Sequence, residues 1–171
     1  MFKPPRSGSP AGAAILLAAA MLLPGAAQAA TVSSTMSVTA TVTANCTIST
    51  SALAFGNVNT ISGANVDGTG GLTITCTNGT PWSAAAGVGA GSGASYANRR
   101  MTSGANLLNY NIYTTAARTT VWGNGTAGTS AVAGTGSGTA QAVTVYGRVA
   151  SGQTGVPAGA YADTVSVTVT Y

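Results

Sequence analysis

The dominant pattern along the chain is an alternation of apolar and polar residues with a period of two, which is typical of β-strands that bury one face. It is clearest at the C-terminus, where Val165, Val167, Val169 and Tyr171 alternate with small or polar residues. Because successive strand residues point to opposite faces, this pattern predicts a strand over 161–171. No segment beyond the first 29 residues has helical periodicity.

Shorter segments of the same kind occur elsewhere in the chain. The sequence predicts strands at 46–50, 71–77, 107–114 and 142–149. The connections are rich in glycine, which predicts loops at 84–95 and 123–138. Short strands separated by turn residues indicate an all-β chain with the architecture of a β-sandwich.

An additional alternating segment precedes Cys46. Its apolar face carries Val32, Ser34, Met36, Val38, Ala40 and Val42. A strand this close to the start of a mature chain either pairs within its own sheet or stays free to pair with another chain. The alternation alone does not distinguish the two.

The first 29 residues have the pattern of a secretory signal peptide. Lys3 and Arg6 precede an apolar run over 11–23, and Ala27-Gln28-Ala29 supplies a small-residue cleavage site. The run is shorter than the ~20 residues that a transmembrane helix needs, although an uncleaved membrane anchor is the alternative. We therefore expect an exported chain of about 140 residues, enough for one domain.

Charge is scarce, since charged residues make up only 5% of the chain. The expected mature part carries Arg99, Arg100, Arg118 and Arg148 against Asp67 and Asp163. Four dispersed arginines do not form the basic stripe that nucleic acid requires, so we predict no nucleic-acid partner. Whether Arg99 and Arg100 contact a neighbouring molecule or solvent is left open by the sequence.

The two cysteines, Cys46 and Cys76, both lie in the exported part. An oxidising compartment lets such a pair persist as a disulfide, and we predict that they are joined. Closing a loop of about 30 residues would stabilise the fold by roughly 3 to 4 kcal/mol. With no histidine and no second cysteine pair to complete four ligands, we predict no metal site.

Residues suited to catalysis are few. There is no histidine, and we interpret Asp67 and Asp163 as turn or hydrogen-bonding residues. Residues 123–128 match G-x-G-x-x-G, but no helix follows, so we interpret them as a loop. Trp82 and Trp122 suit either sugar stacking or core packing, and core packing is favoured. We predict no catalytic residue and no cofactor.

Several short motifs, taken in their order and spacing, resemble the spore coat U domain, which is the fold of archaic, Csu-type chaperone-usher pilins. They are Asn45-Cys46, Leu53-Ala54-Phe55-Gly56, which we interpret as a turn, Leu72-Thr73-Ile74-Thr75-Cys76, Leu108-Asn109-Tyr110-Asn111-Ile112-Tyr113, Val145-Tyr146-Gly147 and Gly159-Ala160-Tyr161-Ala162-Asp163-Thr164.

The resemblance implies an immunoglobulin-like β-sandwich that lacks its last strand and is completed by a donor strand from another subunit. It divides the chain into a signal peptide (1–29), an N-terminal donor strand (30–44) and an incomplete sandwich (45–171). The inward side chains of the donor strand, which we call the plugs, would be Val32, Met36, Val38, Ala40 and Val42. The acceptor groove would be lined by Val165, Val167, Val169 and Tyr171.

The function that the resemblance implies is that of a pilin, a shaft subunit of a surface fibre that supports adhesion and biofilm formation. The subunit would pass through the periplasm to the cell surface. Its partners would be identical subunits, a periplasmic chaperone, an outer-membrane usher and a possible tip adhesin. The alternatives are a spore-coat or extracellular matrix protein, or a monomeric secreted binding module whose N-terminal strand closes its own sheet.

Overall fold

The computed structural model describes residues 27–171, so the expected signal peptide lies outside the described part except for residues 27–29. The described residues form eight strands: β1 (Cys46–Ser51), β2 (Val66–Cys76), β3 (Pro81–Ala86), β4 (Arg99–Ser103), β5 (Asn106–Tyr113), β6 (Val132–Thr135), β7 (Gln141–Val149) and β8 (Val167–Thr170). Within this part of the chain, no helix is long and apolar enough to cross a membrane.

The strands form two antiparallel sheets. One has five strands in the order β1-β2-β7-β5-β4, and the other has three in the order β6-β3-β8. β1 and β8 are therefore edge strands, each hydrogen-bonded to a neighbour on one side only. The sheets belong to a unit that covers residues 40–171, whereas residues 27–39 belong to a separate unit.

The core is built from the inward faces of both sheets. The buried apolar side chains are Leu72, Ile74, Cys76, Trp82, Ala84, Ala86, Met101, Leu108, Tyr110, Ile112, Trp122, Val145 and Val149. Both tryptophans are almost fully buried, and the Trp122 Nε1 donates to the Ala84 carbonyl over 2.9 Å. Core packing is thus the confirmed interpretation of Trp82 and Trp122.

Most strands predicted from the period-two pattern are confirmed, with shifts at their ends. The C-terminal strand is shorter than predicted: β8 covers 167–170. Before it, Ala162 forms an isolated bridge to Thr102, and the Ser166 carbonyl accepts from the Gly87 amide. Alternation nevertheless continues through 161–169, where the odd-numbered residues are half-buried and the even-numbered ones exposed.

The two glycine-rich segments were wrongly predicted to be loops throughout. The first overlaps β3, and the second contains β6. Small residues are needed here because the strands pack against tryptophan: a side chain on Gly134 of β6 would collide with the Trp82 ring. The segment 123–128 is a loop as expected.

Arg99, which begins the unpredicted strand β4, is completely buried rather than in contact with solvent. Its guanidinium donates to the Gly87 carbonyl, to the Trp122 carbonyl at 2.7 Å and to the Asn111 Oδ1 at 2.6 Å. Burial lowers the pKa of Arg99 below its ordinary value, but a guanidinium stays charged in proteins. It therefore ties β4, β5 and the chain after β3 together.

Asp67 lies within β2 rather than in a turn, and it is ion-paired across the sheet. Arg148, its partner in the β2–β7 register, donates to both carboxylate oxygens over 2.7 and 2.8 Å. The Arg118 Nη1 lies 3.3 Å from the same carboxylate. The hydrogen bond from Arg148 holds the pKa of Asp67 below its usual range.

The predicted disulfide between Cys46 and Cys76 is present. The two cysteines are directly opposite each other in the β1–β2 register and lie 30 residues apart in the chain. Because β1 has a hydrogen-bonded neighbour on one side only, the disulfide is a second attachment of this edge strand to the sheet.

Replacing Cys46 and Cys76 together by serine is expected to lower the free energy of unfolding by about 2 to 5 kcal/mol, because the loop between them is no longer closed in the unfolded chain. Thermal unfolding of the purified chain measures the effect. Ser49→Ala, an exposed change on the same strand, is the matched control and should leave stability almost unchanged. Free thiols in the oxidised, folded protein would contradict the prediction.

Asp67→Asn is expected to destabilise the fold by no more than about 1 kcal/mol at pH 7, because the carboxylate is partly solvated. The folded pKa is lowered, so the stabilisation is present above the unfolded pKa of about 3.9 and is lost as the pH falls through the folded value. Urea unfolding across pH should therefore show the two proteins converging in strongly acidic solution. A difference that persisted after the carboxyl was protonated would be inconsistent with this ion pair as its origin.

Candidate functional site

A cleft of about 1080 Å³ opens between the two sheets. Its walls are residues 50–61, which follow from β1, and residues 156–167, which lead into β8. The floor is formed by core side chains: Leu72, Met101, Leu108, Tyr110, Ile112, Trp122 and Val145. We call this cleft the groove. The floor side chains are themselves buried, so the cleft is a recess that lies over the core between its two walls.

The β8 wall presents unpaired backbone groups. The Gly87 amide donates to the Ser166 carbonyl over 2.8 Å, and this pair continues the register that joins β3 to β8. Hydrogen-bonded residues alternate along an antiparallel strand, so the backbone groups of Val165, Val167 and Val169 face away from β3. β8 has no neighbour on that side among the described strands.

The same three valines direct their side chains inward. Each is half-buried and packs against the core, and Val165 and Val167 line the groove. Val169 lies beyond the groove lining, and Tyr171 is 56% exposed. The structure thus places two of the four predicted acceptor residues on the groove wall.

The opposite wall is an irregular segment that continues from β1. Leu53 and Phe55 are half-buried and pack against the core, while the residues between and beside them are exposed. They lie directly over glycines: a methyl carbon on Gly70 would be 2.9 Å from the Leu53 Cβ, and one on Gly147 would be 2.8 Å from the Phe55 ring. The chain then turns at Gly56, whose φ is 64°.

This wall also has free backbone groups. No backbone hydrogen bond joins residues 52–58 to any other part of the described chain. In β1, the register with β2 leaves the backbone groups of Ile48 facing away from β2. The Ile48 side chain lies on the same face as Cys46, toward the core, but it is 38% exposed. Two open edges therefore flank one apolar groove.

The two walls meet beyond one end of the groove. The Tyr171 hydroxyl lies 3.5 Å from the Asn45 Oδ1, so the end of β8 and the start of β1 come together there. β1 runs away from this end and β8 runs toward it, so the two edge strands are antiparallel.

Asp163 lies on the β8 wall, and its carboxylate accepts three hydrogen bonds. They come from the Tyr110 hydroxyl at 2.6 Å and from the Ala90 and Thr164 amides at 2.7 Å each. Burial and this hydrogen bond raise the pKa of Tyr110 above its ordinary value. The interpretation of Asp163 as a hydrogen-bonding residue is confirmed.

The N-terminal segment forms no strand in the described chain. Its large plugs are almost fully exposed, with values of 97% for Val32, 87% for Met36, 85% for Val38 and 84% for Val42. Ala40 is exposed as well. Folded proteins rarely expose a run of apolar side chains to solvent. Where they do, the exposed surface usually marks a site of interaction.

Sequence reasoning missed the wall opposite β8. The motif that contains Leu53 and Phe55 was interpreted as a turn, whereas only Gly56 has a turn conformation. The alternation of Leu53, Phe55 and exposed small residues was a signal that could have indicated an extended wall. Ile48 gave a weaker indication of this wall: it lies two residues after Cys46, so a strand places both side chains on the same face.

The described residues offer little to reactive chemistry. No group of three or more His, Cys, Asp or Glu side chains in residues 27–171 could hold a metal ion. Asp67 is ion-paired and Asp163 is hydrogen-bonded, so both carboxylates have structural partners. What the site can do is accept an extended peptide through its two backbone edges and its apolar floor.

Comparison with known proteins points to one family. The model of the Spore Coat Protein U domain matches residues 32–168. Protein U of Myxococcus xanthus is 38% identical over 174 residues, covering 93% of this chain and 96% of that protein.

A solved structure shows a similar fold. It is the CsuC-CsuE chaperone-tip adhesion subunit pre-assembly complex from the archaic chaperone-usher Csu pili of Acinetobacter baumannii, one chain of which matches with a TM-score of 0.55 and 24% identity. The match covers 77% of this chain and 40% of that chain, so this chain spans less than half its length. The predicted immunoglobulin-like, all-β fold is confirmed.

Proposed function

This chain belongs to the Spore Coat Protein U domain family, and we propose that it is a structural subunit, a pilin, that polymerises by inserting its N-terminal segment into the groove of another copy. The family and the pilin-like fold are those of structural proteins rather than enzymes. The observation that carries the proposal is that one chain holds both halves of the contact: an apolar groove with two open backbone edges and an exposed alternating segment.

The two halves match in periodicity. Strand residues at i and i+2 share a face, so all five plugs can enter the groove while their backbone pairs with the walls. On the β8 wall, the residues with free backbone groups are also those whose side chains line or flank the groove. A donor placed there extends the three-stranded sheet by one strand and fills the groove above the core.

The direction of the donor makes the contact intermolecular. Every strand pair in the described chain is antiparallel, so we place the donor antiparallel to β8 and hence in the same direction as β1. In its own groove, residue 31 would then lie at the Tyr171 end beside Asn45, and residue 43 would lie twelve strand residues, or about 40 Å, from Asn45. Two Cα steps span only about 7 Å, so the segment fits the groove of another copy and not its own.

The energy available is large. Burying the four large plugs contributes at most about 6 to 12 kcal/mol, at roughly 1.5 to 3 kcal/mol for each side chain. This is comparable with the ~5 to 15 kcal/mol total stability of an ordinary domain. An unfilled groove with unpaired edges invites aggregation, so the subunit needs a periplasmic chaperone before assembly. The chaperone-bound state of the similar solved protein supports this requirement.

The biological setting follows from the same contact. An exported subunit that passes from chaperone to usher and then to the next subunit forms a surface fibre, in which this chain is a shaft subunit supporting adhesion and biofilm formation. The name of the family and the likeness to Protein U favour a second setting, a spore-coat or matrix polymer. A neighbouring gene for an outer-membrane usher would separate the two.

The test is a permuted chain in which residues 31–43 follow Tyr171 through a short flexible linker. Tyr171 lies where the two walls meet, so the linked segment can turn back antiparallel to β8 within a few residues. We expect a monomer that melts cooperatively and well above the unpermuted chain, and that no longer joins fibres. Gel filtration and thermal unfolding measure both properties.

A chain without residues 31–43 is the matched control, and it should be marginally stable and depend on a chaperone. If this shortened chain were as stable and as monomeric as the permuted one, the groove would need no donor and the proposed function would be wrong.

A further inference from the structure

The groove changes character at Asp163. The next inward positions toward β8 are Val165 and Val167, but here the wall carries a carboxylate that accepts three hydrogen bonds, which fix it in place. A side chain held in this way cannot swing aside for a bulky apolar side chain without leaving its donors unpaired. This position therefore restricts what can be placed over it.

The restriction extends across the whole groove. The Tyr110 ring, which donates to Asp163, meets the Phe55 ring edge-on, with the centroids 6.0 Å apart and the planes at 68°. Phe55 belongs to the opposite wall and Tyr110 to the floor. These three side chains form a continuous line from wall to wall, which we call the Phe55–Tyr110–Asp163 bar. Two aromatic rings and a carboxylate therefore cross the groove at this level.

The donor segment has one small plug, Ala40, between the larger Val38 and Val42. The free backbone groups at Val165 and Val167 require inward-facing donor residues opposite them, so the possible registers differ by steps of two residues. In one register, Val38 lies opposite Val165 and Ala40 lies opposite Asp163. A step in either direction places Val38 or Val42 over the carboxylate instead.

We propose that Ala40 of one subunit lies over the Phe55–Tyr110–Asp163 bar of the next and so fixes the register of strand donation. In this register, Met36 lies opposite Val167, Val38 opposite Val165 and Val42 opposite Tyr161, and only the methyl group of Ala40 meets the bar. The groove thereby selects donor segments with a small residue at this position. The inference rests on the proposed strand donation.

Cysteine pairs measure the register directly. Directly opposed residues of an antiparallel pair have Cα atoms about 5.5 Å apart, which suits a disulfide, whereas diagonal neighbours are about 7 to 8 Å apart. We expect fibres of the Val38→Cys, Val165→Cys chain to form a ladder of covalent oligomers on non-reducing gels. Two control pairs report the neighbouring registers: Met36→Cys with Val165→Cys, and Val38→Cys with Val167→Cys. Predominant cross-linking of either control pair overturns the proposed register.

Size variants test the role of the small plug. Ala40→Leu should reduce the rate of fibre assembly by about tenfold or more, because the added carbons overpack the bar. Val38→Leu adds volume at the adjacent plug, away from the bar, and should assemble within a fewfold of the natural chain. Equal assembly of the Ala40→Leu and natural chains overturns the proposal.

A charge pair separates failure of the register from failure of strand donation. Val38→Asp places a carboxylate in the apolar groove and should block assembly, whereas Thr39→Asp lies on the outward face and should not. If both assemble normally, strand donation itself is wrong. If Val38→Asp blocks assembly while a control cysteine pair cross-links, donation stands and only the register assigned to Ala40 is wrong.

Discussion

Unpaired backbone groups at the edge of a sheet are the constraint on which this structure depends. Amide and carbonyl groups that are taken out of water need hydrogen-bond partners, and along Val165, Val167 and Val169 the described chain supplies none. The same residues flank an apolar groove whose floor is the core of the sandwich. We propose that an extended, alternating peptide completes this edge, and residues 32–42 have that pattern.

The walls of the groove are held in place by contacts within the chain and do not depend on a bound donor. The disulfide attaches β1 to β2, and Arg99 joins β4, β5 and the chain after β3. Glycines at 70 and 147 allow Leu53 and Phe55 to lie directly on the sheet. A site that is largely formed in advance loses less entropy on binding, so in the proposed assembly more of the free energy of plug burial would remain to stabilise the contact.

The sequence predicted those parts of the fold in which each strand residue has a clear inward or outward side. β1, β2, β5 and β7 alternate plainly, and the two cysteines had few competing roles. β3 and β6 were missed because alanine and glycine carry no apolar signal of their own, and their small size matters only beside Trp82. Burial of Arg99 was also beyond the pattern, since its partners are backbone carbonyls distant in sequence.

Amide hydrogen exchange, resolved to single residues along β8, tests the central claim most directly. The amides of Thr168 and Thr170 face β3 and should be protected both in a chain lacking residues 31–43 and in the assembled fibre. The amides of Val165, Val167 and Val169 should exchange rapidly in the shortened chain and become protected by orders of magnitude in the fibre. Protection of these three amides before assembly, or rapid exchange within the fibre, would contradict the account.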